Sequence, residues 1–325
     1  MNSSSQQNLL DRLNSNALQL CRRSIDQAEQ LGIVASQIAG ATVLDFGIGR
    51  AGTLVAGIRL AEICLSGIAR VELTPANCAD LPFPQIMVST DFPLAACIAS
   101  QYAGWAFSVK KYFAMCSGPA RLLRGNENIL SEYGLSSRTP IAVGIFESNA
   151  LPSEEAVQLF AESCGVNTEQ VTLCLARTAS FPGTMQVVAR SVETTLHKLH
   201  ELQFDLLSVR NATGTAPLPP IAADDLVSLG WTNDSILYGS SVNLWVETTD
   251  SAVEQVLEKL PSSSSSDFGE PFLNIFNRYD RDFYKIDKSL FSPAQVTINN
   301  LKSGRTFSCG RLRSDLLRSS FGLEN

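Results

Sequence analysis

The amino-acid sequence predicts a mixed α/β protein of the α+β type, because short apolar strand candidates alternate with helix candidates along its 325 residues. Residues 139–146, 152–164 and 171–176 have the patterns of a strand, a helix and a strand, which together indicate a β-α-β unit. Near the end, residues 295–299 and 305–309 enclose a Ser-Gly turn and predict a hairpin. The length suits one large domain or two of ordinary size.

The Gly- and Pro-rich segment 211–221 is the candidate junction between domains, since such segments connect compact units or line clefts. We therefore expect a first α+β subdomain over residues 1–210 and a second over residues 211–325, unless the subdomains are discontinuous in sequence. The first of these would include the helix predicted at 186–202. Five consecutive serines, at 262–266, have the composition of a short linker or loop tip.

Composition and charge exclude several classes of partner. Hydrophobic residues make up 45% of the chain and charged residues 18%, as in a globular protein with a substantial core. The net charge of −7 comes without a long basic patch, so we expect no nucleic-acid partner. No apolar run approaches the roughly 20 residues that span a bilayer, and residues 1–7 lack the pattern of a secretory signal. We expect a cytoplasmic protein with no membrane partner.

The cysteines and histidines do not form a metal site in the sequence. The spacing of the eight cysteines is wide and irregular, with no C-x-x-C pair, and both histidines lie in one predicted helix. Most of the cysteines have apolar neighbours, so we expect reduced, buried thiols and no metal. The cysteines are Cys21, Cys64, Cys78, Cys97, Cys116, Cys164, Cys174 and Cys309.

A glycine-rich loop follows the first strong strand candidate. Residues 41–46 predict a strand, Gly47-x-Gly49-x-x-Gly52 follows it, and residues 54–65 predict a helix. This is the G-x-G-x-x-G arrangement of a dinucleotide-binding loop. The acidic residue about 20 positions further on, Glu72, falls inside the next predicted strand, which argues against that interpretation.

A second turn follows the strand candidate around residue 115. Ser117-Gly118-Pro119 is a turn, and a helix is predicted to begin at Ala120. Backbone N–H groups at such a turn can bind an anion, and Arg121 could add a positive charge. The alternative is an ordinary strand-to-helix turn.

Residues 186–202 have the clearest helical pattern in the chain, with a polar side that carries both an arginine and a glutamate. One interpretation is a solvated helix surface, on which an Arg–Glu pair contributes about 0.2–0.5 kcal/mol. The other is that the pair faces a cleft, where the guanidinium holds an ionised carboxylate ready to accept a proton. The apolar side comprises Val188, Val192, Leu196, Leu199 and Leu202, and the polar side Arg190, Glu193, His197 and Glu201.

The motifs that would define other enzyme classes are absent from the sequence. There is no G-x-S-x-G, no P-loop and no H-E-x-x-H, and the scarcity of histidine argues against a Ser-His-Asp hydrolase. What remains is acid/base chemistry by a carboxylate supported by arginine. Residues alone indicate a mixed α/β protein, with an enzyme as the leading possibility.

Taken together, seven motifs resemble the methenyltetrahydromethanopterin cyclohydrolase family. They occur in the family's order between about residues 41 and 323, so the resemblance covers nearly the whole chain. The matching residues are Tyr112-Phe113-Ala114 with Ser117-Gly118-Pro119-Ala120-Arg121, Val188-Ala189-Arg190 with Val192-Glu193-Thr194, Gly214-Thr215-Ala216-Pro217, Thr232-Asn233-Asp234, Leu237-Tyr238-Gly239, Pro271-Phe272 with Ile275-Phe276, and Asp282–Asp287.

The resemblance implies reversible hydrolysis of 5,10-methenyl-tetrahydromethanopterin to 5-formyl-tetrahydromethanopterin, in one-carbon metabolism such as methylotrophy and formaldehyde oxidation. The family's Arg-x-x-Glu pair maps onto Arg190 and Glu193, with Glu193 as base and then acid and Arg190 orienting it. No permanently bound cofactor and no metal are implied, since the tetrahydromethanopterin derivative is the substrate.

The same resemblance implies two α+β subdomains with the pterin in a cleft between them, and a homotrimer. Further substrate-binding candidates are Ser117, Gly118, Arg121, Thr213, Thr215, Asn233, Asp234, Tyr284 and Lys285. Four features depart from the family's pattern. They are Cys116 for a usual glycine, Arg177 where Ala-Pro-Thr is usual, Trp231 for a usual arginine, and the Gly47–Gly52 loop, which is variable in the family. The alternatives are a catalytically altered pterin-binding homologue and a cyclohydrolase for another tetrahydropterin.

Overall fold

The computed structural model describes residues 3–76 and 81–323. Contacts divide the chain into two compact units, each of which combines one six-stranded sheet with helices. Unit 1 comprises Met1–Ala69 and Ala95–Gln186, and unit 2 comprises Arg70–Leu94 and Val187–Asn325. The predicted α+β fold class is confirmed. Cys78 lies outside the described residues.

The helices and strands of the described residues are as follows. Up to residue 117 they are α1 (Ser3–Asp26), α2 (Ala28–Leu31), β1 (Val34–Ile38), β2 (Ala41–Gly47), α3 (Leu54–Cys64), β3 (Arg70–Thr74), β4 (Gln85–Thr90), a π-helix (Leu94–Gln101), β5 (Trp105–Val109) and β6 (Tyr112–Ser117). To residue 217 they are α4 (Arg121–Arg124), α5 (Asn128–Glu132), β7 (Ala142–Glu147), α6 (Glu154–Cys164), β8 (Val171–Ala176), α7 (Phe181–Val188), α8 (Ser191–Glu201) and β9 (Val209–Pro217). The rest are α9 (Asp225–Leu237), β10 (Ser241–Val246), α10 (Asp250–Leu257), α11 (Phe272–Arg278), β11 (Gln295–Asn300), β12 (Thr306–Gly310) and α12 (Ser314–Ser320).

The sheet of unit 1 has the strand order β1-β2-β8-β7-β6-β5, with β2, β8 and β7 mutually parallel and the outer pairs antiparallel. The predicted β-α-β unit is confirmed as β7-α6-β8. All six residues of β8 are buried, as expected for a parallel strand covered on both faces. One cluster joins Phe146 and Phe160 on the α6 side, and another joins Phe46 and Leu60 with α1 and α3.

The sheet of unit 2 has the order β12-β11-β10-β9-β4-β3, in which only β10 and β11 run parallel. Its strands alternate between a buried apolar face and a half-buried polar face, as β9 illustrates with Gly214 on one face and Thr213 and Thr215 on the other. The predicted terminal hairpin is confirmed as β11–β12. A separate aromatic cluster around Phe272 and Phe321 joins α9, α11 and α12.

The division into units differs from the expected boundary after residue 210. The chain passes between the units at 69/70, 94/95 and 186/187. The first two crossings occur because β3 and β4 belong to the sheet of unit 2, in which β4 pairs with β9. Residues 211–217 of the segment expected to be a connector, 211–221, belong to the strand β9, which lies in the middle of the unit 2 sheet. The helix that carries Glu193 therefore belongs to unit 2.

The serine run is an ordered part of unit 2 rather than a linker. Ser262–Ser264 form a 3-10 helix, and Ser262 is fully buried. The carboxylate of Asp287 accepts hydrogen bonds from the Ser265 hydroxyl at 2.8 Å and from the Ser266 backbone N–H at 3.1 Å. Serine hydroxyls therefore satisfy a carboxylate here, which composition alone does not reveal.

Candidate active site

The helix predicted over 186–202 is two helices, α7 and α8, separated at Ala189 and Arg190. Arg190 has φ −93° and ψ 9° and occupies the position before the first residue of α8. Its carbonyl accepts the first α8 hydrogen bond, from Thr194 N–H at 2.8 Å, while its own N–H donates to Val187 O at 3.0 Å. Glu193 is thus in the first turn of α8, where unpaired backbone N–H groups favour a negative charge.

The two predicted catalytic side chains lie beside each other. Arg190 Nη1 is 3.9 Å from Glu193 Oε2, and the two side chains are only 11% and 8% exposed. This separation is longer than a direct hydrogen bond, so the contact is one of charge. The low exposure favours the interpretation of a sheltered pair over that of a solvated helix surface, and charges interact more strongly away from bulk water.

The start of α8 is held against β9 by an unusually close approach. A Cβ atom on Gly214 would lie 2.4 Å from Ser191 Oγ and 3.0 Å from Val192 Cγ2, so only glycine fits there. Val192, Leu196 and Leu199 are buried, which confirms the apolar side of α8. Gly214, which in the sequence stands out only as part of a matching motif, therefore helps to position Glu193.

The Ser117–Pro119 turn uses its backbone N–H groups within the protein. Gly118 N–H donates to Ser100 O at 2.7 Å, and Ala120 N–H donates to Val143 O at 3.1 Å. Gly118 has φ +95°, and a Cβ there would lie 2.5 Å from Ile145 Cδ1. These contacts favour the ordinary strand-to-helix turn, and Ser117 is itself buried.

Arg121 points inward instead of towards solvent. Its side chain is completely buried, and Nε donates to Glu127 Oε1 at 2.8 Å while Nη2 pairs with Glu127 Oε2. Nη1 donates to Ile98 O at 3.0 Å and to Ser100 O at 3.3 Å. The guanidinium thus contacts four acceptor atoms of unit 1. This position differs from the expected contact of Arg121 with a ligand.

The glycine-rich loop is occupied by a carboxylate of the protein itself. Asp45 accepts hydrogen bonds from the backbone N–H groups of Gly47, Ile48 and Gly49, at 2.9, 2.6 and 3.0 Å. A phosphate would need these same N–H groups and would be repelled by the carboxylate. Gly52 is required for a different reason, since a Cβ there would lie 2.4 Å from Pro182 Cδ. The dinucleotide interpretation is therefore not supported.

Thr213 and Thr215 lie on the face of the unit 2 sheet opposite to Gly214, and it is the Gly214 face that α8 covers. Thr213 lines an open cavity of about 320 Å³ together with Asp91, Asn211 and Trp245, among others. Asn211 Nδ2 donates to Asp91 Oδ1 at 2.6 Å there. Their predicted role in substrate binding stays a prediction.

Asn233 and Asp234 contribute to the packing of α9. Asn233 Nδ2 donates to Leu229 O at 2.8 Å. Asp234 is fully buried, accepts from Phe272 N–H at 2.8 Å and from Ser320 Oγ, and thereby joins α9 to α11 and α12. Burial raises the pKa of Asp234 to about 7, although both hydrogen bonds oppose the rise. This position differs from the expected contact with substrate.

Tyr284 and Lys285 lie in an exposed 3-10 helix, Phe283–Lys285. Tyr284 is 90% exposed, and Lys285 Nζ is 3.5 Å from Asp280 Oδ2. Trp231, which the resemblance marks as a departure from the family's pattern, packs edge-on against Phe321 with 6.2 Å between ring centroids.

One polar cluster was not singled out from the sequence. Glu147, the last residue of β7, accepts hydrogen bonds from Thr178 Oγ1 at 2.5 Å and from Gln186 Nε2 at 3.3 Å. The cluster lies where β2, β7 and β8 end, and the carboxyl ends of parallel strands are common ligand sites. The sequence signal that could have indicated this cluster is a glutamate directly after the first predicted strand of the β-α-β unit.

The described part of the chain has neither a cluster of metal ligands nor a membrane-spanning helix. Within residues 3–76 and 81–323, no group of three or more His, Cys, Asp or Glu side chains could hold a metal ion. In the same ranges no helix is long and apolar enough to cross a membrane.

Comparison with known proteins defines the class of this chain. A family model described as "Cyclohydrolase (MCH)" matches residues 12–321. A methenyltetrahydromethanopterin cyclohydrolase of Rhodopirellula baltica is 48% identical over 291 residues, covering 88% of this chain and 87% of the relative. The enzyme of that name from Methylobacillus flagellatus is 41% identical over 308 residues, or 93% of each chain. That from Methanocaldococcus jannaschii is 38% identical over 316 residues, or 95% and 98%.

These matches define a hydrolase that acts on a C–N bond of a cyclic amidine. The chain belongs to the methenyltetrahydromethanopterin cyclohydrolase family. The resemblance stated from the motifs is thereby confirmed.

Proposed function

We propose that this chain catalyses the reversible hydrolysis of 5,10-methenyl-tetrahydromethanopterin to 5-formyl-tetrahydromethanopterin, with Glu193 and Arg190 as the catalytic residues. Family membership supports the reaction. The observation that supports the residues is the sheltered contact of 3.9 Å between Arg190 Nη1 and Glu193 Oε2.

The substrate dictates what the protein must supply. Its reacting carbon lies between two nitrogens in a delocalised cation and is already electrophilic, so the reaction needs neither a metal nor a covalent nucleophile. Glu193 takes a proton from the attacking water as the C–O bond forms, and the adduct is neutral. Glu193 then returns a proton to the leaving ring nitrogen as the C–N bond breaks. The second proton of the water goes to solvent, which balances the lost positive charge.

Arg190 acts on Glu193 rather than on the substrate cation. A guanidinium next to a cationic carbon would repel it, whereas its contact with Glu193 makes the pair neutral overall. The positive charge and the first turn of α8 favour the ionised carboxylate, while burial favours the protonated one. These opposing effects suit a group that must both accept and donate a proton.

The proposal extends to context. The chain acts in one-carbon metabolism of the methylotrophic, formaldehyde-oxidising type, in the cytoplasm, as a homotrimer that takes a pterin substrate and binds no nucleic acid. It works without a permanently bound cofactor or metal. Size-exclusion chromatography with light scattering tests the trimer, since a monomeric mass would contradict it.

Loss of the methenyl chromophore in a stopped-flow absorbance assay tests the activity directly. Glu193→Gln keeps the shape of the side chain and removes its basicity, so we expect kcat to fall about 10²- to 10⁴-fold with substrate affinity nearly unchanged. Glu201→Gln, at an exposed position of the same helix, is the matched control and should retain full turnover. Equal losses of turnover and affinity in Glu193→Gln would contradict the assigned role, and unreacted substrate with the unaltered chain would contradict the activity.

A further inference from the structure

We propose that Glu147 is the residue that recognises the pterin ring, by accepting two parallel hydrogen bonds from the 2-amino and N3–H groups of its pyrimidine edge. This inference rests on the proposed function, because the pterin is the substrate assigned there. It assigns a specificity role to a carboxylate that the mechanism of Glu193 and Arg190 does not use.

The carboxylate of Glu147 is held rigidly from one side. Thr178 Oγ1 donates to Oε1 at 2.5 Å, and Gln186 Nε2 donates to Oε2 at 3.3 Å. Both donors are more than nine-tenths buried, with residue exposures of 7% for Thr178 and 2% for Gln186. Glu147 itself is only partly buried, so one side of the group is accessible. The two buried donors set its orientation.

The remaining hydrogen-bonding capacity defines the chemistry of the ligand. A carboxylate has about four acceptor positions, two on each oxygen. The protein uses one position on each oxygen, which leaves one on each for a partner. Two acceptors side by side match two parallel N–H donors, the pattern that makes carboxylate–guanidinium pairs bidentate. The cyclic guanidine edge of a pterin presents these two donors.

The location agrees with this role. Glu147 ends β7, and the neighbouring parallel strand β8 ends opposite it at Ala176. Ligands of α/β sheets bind beyond the carboxyl ends of parallel strands, where loops and not side-chain layers cover the edge. Gln186 is also in α7, which leads directly into Arg190, so the donor that orients Glu147 lies four residues before the catalytic pair.

An amide in place of the carboxylate tests the pattern of donors and acceptors. Glu147→Gln keeps one acceptor but turns the other into a donor, which would face the 2-amino group of a pterin. Lumazine has a carbonyl at this position, so it suits the variant better than the unaltered chain. We expect pterin to bind the variant about ten- to hundredfold more weakly, and lumazine to bind at least as well as before. Fluorescence titration with pterin and with lumazine measures both.

The matched control is Glu154→Gln, an exposed glutamate in the first turn of α6 in the same unit. It should leave both affinities unchanged. Thermal unfolding of each variant monitors the fold. Unchanged pterin affinity in Glu147→Gln would overturn the proposal, and so would an equal loss for pterin and lumazine, because a structural role alone makes no distinction between the two ligands.

Kinetics with the full substrate separates this proposal from the proposed function. Glu147→Gln should raise KM about tenfold or more with kcat nearly unchanged, the opposite of the effect expected for Glu193→Gln. If the unaltered chain has no turnover but Glu147→Gln shows the switch from pterin to lumazine, the proposed activity fails and recognition of the pterin by Glu147 stands. If turnover of the unaltered chain is normal and Glu147→Gln shows no switch, the proposed activity stands and recognition of the pterin by Glu147 fails.

Discussion

The contact of α8 with β9 offers a test of how the catalytic pair is positioned. In Gly214→Ala the new methyl group would lie 2.4 Å from Ser191 Oγ and 3.0 Å from Val192 Cγ2. Carbon atoms do not approach these atoms so closely, so the start of α8 must move away from β9 by several tenths of an ångström or more. Arg190 and Glu193 begin this helix and must move with it.

Two magnitudes follow from this displacement. Forcing extra atoms into a packed interior typically destabilises a protein by about 1–3 kcal/mol. A misplacement of about 1 Å in a catalytic group can cost about 10²-fold in rate. We therefore expect Gly214→Ala to lower the free energy of unfolding by about 2 kcal/mol and kcat by about one to two orders of magnitude.

A second substitution makes the test specific. Ser191→Ala removes the atom nearest the new methyl group, and its hydroxyl has no hydrogen-bond partner among the described residues. The double variant Gly214→Ala/Ser191→Ala should therefore recover part of both losses, which urea unfolding and stopped-flow turnover would measure as a double-mutant cycle. Strictly additive effects, or a Gly214→Ala variant with normal kcat, would refute the positioning argument.

Three further predictions concern charged side chains that hydrogen-bond within the protein. The pKa of Asp234 is raised to about 7 in the fold, so the unaltered chain loses stability as pH rises from about 4 through 7. Asp234→Asn does not ionise, so between pH 5 and pH 8 its free energy of unfolding in urea should exceed that of the unaltered chain by about 1 kcal/mol or more. Arg121→Lys should lower the free energy of unfolding by about 3–5 kcal/mol, because lysine cannot make the two parallel hydrogen bonds of the guanidinium to Glu127. Normal stability of this variant would contradict the prediction. Asp45→Ala should lower stability by about 1–3 kcal/mol by removing the acceptor of three loop N–H groups; a melting-temperature increase on adding NAD or ATP to the unaltered chain would instead revive the nucleotide interpretation.

The sequence predicted the buried strands well, for a physical reason. β7 and β8 are parallel neighbours inside the mixed sheet of unit 1 and are almost continuously apolar, so composition alone identifies them. The edge strand β1 was missed because four of its five residues are exposed and show no alternation. Buried strands were thus predictable from the sequence, whereas the exposed edge strand was not.

The limits of prediction at the candidate site have a similar origin. The apolar period of 186–202 continues through Ala189 and Arg190 without proline or glycine, so nothing local indicates the break between α7 and α8. The break lies just after the chain leaves unit 1 for unit 2, which is a tertiary property. The pairing of Arg190 with Glu193 was predictable from their spacing. The inward direction of Arg121 was not, since it depends on carbonyls of the π-helix far away in sequence.

The pairing of β4 with β9 has a consequence for synthesis of the chain on the ribosome. Thr90, the last residue of β4, pairs with Ala212, so the β3–β4 hairpin emerges long before its neighbour in the sheet exists. Until then one edge of β4 has unpaired backbone groups, which are prone to associate with other nascent chains. A fragment truncated after α8 would keep that edge permanently open, and we expect it to aggregate more readily than the 325-residue chain.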